Sequence, residues 1–144
     1  LPPLTQPDLV VVALRVPKAV VCLLSALDHY ELTVEVPHAV HIALPHGTKA
    51  PRLEYPPLEV VRLSGPHFEE GRGEETIDGV PVPMYGPARS VVDAFRFRHR
   101  LGIDVAVDAL QRYLEASRPR SELLHYARIG RVERILTPYL EALS

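Results

Sequence analysis

The 144-residue chain has no tryptophan, one cysteine, one methionine and two lysines, and each shortage removes a class of explanation. A lone Cys22 excludes an intramolecular disulfide and any zinc site built on a cysteine pair, and it suits a reducing compartment. Because it sits in the apolar run Ala19 to Leu24, a buried, inert thiol is expected. Long hydrophobic runs are missing too. Leu9 to Leu14 and Ala19 to Leu24 fall far short of the ~20 residues that span a bilayer, and no charged start precedes a signal-like core. The expectation is a soluble, cytoplasmic protein with no membrane partner. Low-complexity tracts are also absent. With 47% hydrophobic and 24% charged residues and a mean hydropathy of +0.03, the composition is that of a globular domain. Its length allows about two-thirds of the unfolded surface to be buried.

Charge is present but unevenly placed. Residues 1–85 carry six Lys or Arg against eleven Asp or Glu, a balance of −5; residues 86–144 carry ten against seven, a balance of +3. All ten cations of the second half are arginines. Such polarity lets the halves meet two different partners, or lets them attract one another within the fold. An excess of +3 is small for a dedicated nucleic-acid binder, whose affinity comes from neutralising many phosphates.

Periodicity gives an α+β order. Leu9 to Val16 reads as a short strand and Pro17 to Tyr30 as a helix, with Pro17 at its first position and Val20, Leu23, Leu24 and Leu27 on one side. His38 to Leu44 and Leu58 to Leu63 have strand-like length and branching, broken by Pro45, Gly47, Pro51, Pro56 and Pro57. Gly73 to Ile77 and Val80 to Tyr85 flank Asp78-Gly79, a favoured two-residue hairpin turn. Beyond residue 86 the pattern is helical: Pro87 to Leu101, Asp104 to Ala116, Ser121 to Ile129 and Arg131 to Leu143, with Pro138 expected to kink or split the last. The fold expected is a mixed β-sheet in the N-terminal and central part, packed by helices and followed by a C-terminal helical segment.

No catalytic constellation is complete. His38 and His41, three apart in the expected strand, should point to opposite faces, and His46 lies beyond Pro45, so no metal or cofactor site is expected. Gly47-Thr48-Lys49 lacks the glycine-rich approach of a phosphate loop. The strongest enzymatic alternative is a nuclease-like or nucleotide-handling enzyme using Glu54, Glu59 and Arg62, but no third converging carboxylate stands nearby. Ser90 and Asp93 find no histidine to complete a triad. They read as structural: a hydroxyl bonded to backbone, and a carboxylate paired with Arg89 or Arg96 at helical spacing.

Three stretches carry a resemblance: VVCLLSALDHYEL (Val20 to Leu32), GPARSVVDAFRF (Gly86 to Phe97) and DVAVDALQRYL (Asp104 to Leu114). In their order and spacing the chain resembles, over nearly its whole length, the effector domain of AbiEi-type antitoxins, the antitoxin and repressor half of type IV toxin–antitoxin systems. The family often has threonine where this chain has Ser90, which keeps the hydroxyl. The resemblance implies a non-enzymatic transcriptional regulator that antagonises a cognate nucleotidyltransferase-like toxin, directly or indirectly. It further implies that operator DNA is bound by an N-terminal winged-helix domain upstream, with residues 1–8 the linker from it and 9–144 a single effector domain. A DNA-contacting role for these helices themselves is the third alternative. Within the domain, Arg89, Arg96, His99, Arg100, Arg112, Arg128, Arg131 and Arg134 are the candidates for partner binding, because arginine's planar fork suits recognition of carboxylates and aromatics. A plain solvated surface, or a GC-rich genome that favours arginine over lysine, would produce the same pattern.

Overall fold

The computed structural model describes residues 5–144. Its centre is a mixed five-stranded sheet in the order β3-β2-β1-β5-β4, built from β1 (Val20–Val21), β2 (Val40–Pro45), β3 (Leu58–Leu63), β4 (Arg72–Ile77) and β5 (Val80–Tyr85). β1 runs antiparallel to β2 and parallel to β5; β2 and β3 are parallel, and β4 and β5 form the antiparallel hairpin. Asp78 and Gly79 at its tip have φ of 51° and 80°, the doubly left-handed geometry that makes Asp-Gly a favoured turn.

Three expected elements differ. Leu9 to Val16 is not a strand: it belongs to α1 (Pro7–Arg15), a helix with Pro7 in its first turn and Asp8 beside the positive end of the helix dipole. The β-branched run Val10-Val11-Val12 suggested a strand. Spacing decides otherwise, because Leu9, Val12 and Val16 fall on one side and bury against Val21, Ile42, Leu44 and Met84 of the sheet. Pro7 and Asp8 are therefore helical rather than linker; residues 1–4 of that expected linker lie outside the described residues. The helix expected from Pro17 begins later. Val20 and Val21 form the central strand, wholly buried and paired on both sides, and α2 (Leu23–His29) follows.

The helix expected from Pro87 to Leu101 is two: α4 (Pro87–Arg96) and α5 (Arg98–Leu101), separated at Phe97. Arg98 donates to the Phe95 carbonyl at 2.9 Å, covering an acceptor at the break. Gly102, with φ of 96°, ends α5 at a positive φ that favours glycine. The remaining helices are α3 (Pro66–Glu69), α6 (Ile103–Glu115), α7 (Arg120–Ile129) and α8 (Glu133–Ala142). Pro138 lies within α8 without splitting it.

The sheet is covered on both faces. α1 packs one side, while Phe68 of α3 packs the other with Val20, Val61, Leu63 and Tyr85. A helical core, with Leu27, Val91, Phe95, Leu110, Tyr113, Leu123 and Leu136 at its centre, continues from α2 and α4 through α8. α4 joins the two layers. Tyr85, at the end of β5 just before α4, is fully buried and donates from its hydroxyl to the Phe68 carbonyl at 2.6 Å. No helix among the described residues is long and apolar enough to cross a membrane.

Candidate functional site

α4 presents one arginine inward and one to its edge. Arg89 is buried (4% exposed): its Nε reaches both oxygens of Asp93 at 3.1 Å, and its two terminal nitrogens donate to the carbonyls of Glu70 and His67. Its guanidinium lies 4.0 Å over the Tyr85 ring. This corrects the expectation that Arg89 contacts a partner. Each of its three nitrogens has a partner, and it ties α4 to the α3 turn. Gly71 makes room for it: a Cβ there would stand 3.1 Å from both Arg89 Cβ and Tyr126 Cε1, and φ of 78° already favours glycine.

Asp93 and Ser90 are both buried on α4. Asp93 pairs with Arg89 one helical turn away, and the Ser90 hydroxyl donates to the Tyr85 carbonyl at 3.4 Å. Burial pushes the Asp93 carboxyl above its ordinary range, and the Arg89 guanidinium opposes that rise. Cys22 is likewise buried and free, its thiol pushed well up by desolvation, so it is held protonated.

Three of the remaining candidates line one hollow, and a fourth packs beside Gly130, the residue before Arg131. Arg96 is half-buried, its Cδ 3.9 Å from where a Gly130 Cβ would be, and it lines a void of about 10 Å³ with His67, Arg89 and Asp93. Arg131 follows Gly130, and the charges of Arg96, Arg89 and Arg131 together add to desolvation in lowering the His67 imidazole below its ordinary value. Alongside, Arg128, Arg131, Arg134, Glu133 and Ile135 line an open hollow of about 450 Å³. Arg128 pairs with Glu133 at 3.5 Å; no ion pair holds Arg96, Arg131 or Arg134 among the described residues. The hydrogen-bonding capacity of the last three is therefore open to a partner.

Three candidates lie apart. Arg112 is bound to Asp108 at 2.9 Å on α6, and His99 is exposed on α5. Arg100 pairs with Glu59 at 3.5 Å and borders a second hollow of about 270 Å³ with His38, His41, Leu23 and Leu101. That hollow revises the expectation for the histidines. His38 precedes β2, so strand alternation does not apply to it, and both histidines border the same space; His41 stands opposite Glu59 in the β2–β3 register. Burial pulls the His41 imidazole down, against the pull of Glu59 and with that of Arg100. No group of three metal-holding side chains occurs among the described residues. Glu54 lies in the loop before β3, away from any strand, and Arg62 donates to the Pro45 carbonyl at 3.4 Å.

His67 was the residue that sequence reasoning missed. Its ring meets the arginines only through the turn from β3 into α3, and the one local signal, Gly65-Pro66 ahead of it, marks a helix start rather than a site.

The charge asymmetry also resolves. Of the ion pairs among the described residues, only Glu59–Arg100 joins the acidic half to the basic half; the others lie within one half. Ion pairing between the halves is thus limited to one contact among the described residues. Compared with known proteins, the chain matches no family model and no curated protein.

Proposed function

We propose that this chain is a non-enzymatic effector domain of an AbiEi-like antitoxin, and that it binds an acidic surface of its cognate nucleotidyltransferase-like toxin through Arg96, Arg128, Arg131 and Arg134. The observation that carries the proposal is the gathering of Arg128, Arg131 and Arg134 round one hollow at the α7–α8 turn, with Arg96 packed beside Gly130 and no ion pair holding three of the four. Solvated surface arginines are usually scattered or paired with carboxylates; a cluster of open guanidinium forks suits bidentate bonding to a partner's Asp and Glu. Repression of the operon belongs to a winged-helix domain in this reading, because the chain's own basic excess is small for a DNA reader. The test is co-expression of the tagged chain with the product of the neighbouring gene. Stoichiometric co-purification supports the reading, and its absence at low salt opposes it.

A second reading has one observation of its own. His41 and Glu59, register partners on β2 and β3, border one hollow with Arg100, a set of groups that suits a hydrolase or nucleotide-handling enzyme. If that reading holds, Glu59→Gln abolishes the biological effect without lowering the melting temperature.

A further inference from the structure

We propose that the hollow between α1, α2 and the loops leading into β2 and β3 binds a small organic cation, an ammonium or guanidinium group carried on an apolar stem. It shares no residue with the arginine-lined hollow and does not depend on the toxin reading.

The space, about 420 Å³, is the size of a small-molecule pocket, and much of its wall is stiff. Pro7, Pro37, Pro56 and Pro57 line it, and because each ring fixes its backbone φ, a ligand meets a shape that needs little ordering on binding. Val36 and Tyr55 line it as well, and they leave 74% and 67% of their surface in water. A carbon stem laid against them would remove apolar surface from solvent.

Charge selects the ligand. Asp8 lines the hollow from the first turn of α1 and Asp28 from the last turn of α2, while no Lys or Arg lines it and His38 is the only side chain there able to carry positive charge. Neither carboxylate belongs to an ion pair among the described residues. The Tyr55 hydroxyl, donating to Asp8 Oδ2 at 3.3 Å, is the one hydrogen-bond donor that either carboxylate meets there. Asp28 also stands near the negative end of its helix dipole, where an anion is disfavoured and a cation welcome.

Other ligand classes fit less well. An uncharged molecule would strip water from two carboxylates without replacing it, and an anion would be repelled. A bare metal ion finds no cage, since no three metal-holding side chains group together among the described residues. An organic cation satisfies carboxylates and apolar walls at once, and the aromatic ring of Tyr55 favours a cation too.

The experiment titrates the chain at low salt with benzylamine, benzyl alcohol and benzoate, following the Tyr55 ring and Val36 methyl signals by NMR together with the heat of binding. Saturable binding of benzylamine, at least about fivefold tighter than the alcohol or the acid, is expected. Nα-acetyl-lysine methylamide separates two sources of the same chemistry: tighter binding than benzylamine marks a partner's basic side chain, and weaker binding marks a free amine. Asp28→Asn should weaken benzylamine at least about threefold yet melt no lower than the parent, since it removes an anion from the disfavoured end of a helix dipole. Glu141→Gln, the same change on α8, should bind as the parent does. No saturable shift at Tyr55 or Val36 below ~10 mM benzylamine, a smaller preference over the alcohol or the acid, or a smaller loss in Asp28→Asn would each overturn the proposal.

Discussion

Asp93 and Arg89 show how much can depend on two side chains. Each is about 95% buried, and each is the other's charge partner. Asp93→Ala would strand a buried guanidinium, and breaking such a pair costs about 3–5 kcal/mol against the ~0.5 of an exposed helical pair. Urea unfolding should show a loss of that order, whereas a change within ~0.5 kcal/mol would make Asp93 a free surface group. Replacing both partners, Arg89→Met with Asp93→Leu, should recover part of the loss, because no lone charge is then left inside. His41 offers a pH test at the same scale. Its folded pKa lies below its ordinary 6.5, so as pH falls through 6.5 the unfolded chain takes up the proton first and stability drops. His67 acts in the same direction and Asp93 in the opposite one, so the informative quantity is the difference between the parent and His41→Gln. Between pH 7.5 and 5, thermal melts should fall less for His41→Gln; parallel curves would contradict the assignment.

Among the elements, legibility followed the locality of the signal. The Asp78-Gly79 hairpin and the strand Val80 to Tyr85 were readable because turn chemistry and period 2 are local properties. α1 and β1 were not, since valine runs fit either element and the choice was made by the sheet: Leu9 and Val12 needed a side facing Ile42 and Met84, and Val20-Val21 had partners waiting on both β2 and β5. The site behaved the same way. Arginines in the helical half stood out from composition, but nothing in the sequence distinguished the inward Arg89 from the outward Arg96, seven residues along the same helix. α8 carries a prediction of its own. Pro138 in mid-helix cannot donate to the Arg134 carbonyl, which costs ~3 kcal/mol, offset by the ~1 its rigidity removes from the unfolded chain. Pro138→Ala should therefore stabilise by about 2 kcal/mol in urea unfolding; a loss of stability would mean that the ring's packing outweighs the missing bond.

For the molecule as a whole, the two halves divide the work. The sheet half supplies the scaffold and most of the acid, and the helical half carries the open arginines on α4 and the α7–α8 turn. Five of the six ion pairs among the described residues stay inside one half, so replacing a surface arginine there should leave the fold intact while altering what the face can bind. Arg96→Lys, Arg131→Lys and Arg134→Lys each keep the charge and remove the fork. The decisive assay of the proposed antitoxin role is protection of cells by these three variants against the product of the neighbouring gene, alongside their melting temperatures. Parent-like melts are expected, with protection weakened in at least two of the three. Full protection by all three would contradict recognition through the guanidinium fork and leave the arginine cluster a matter of charge or genome composition.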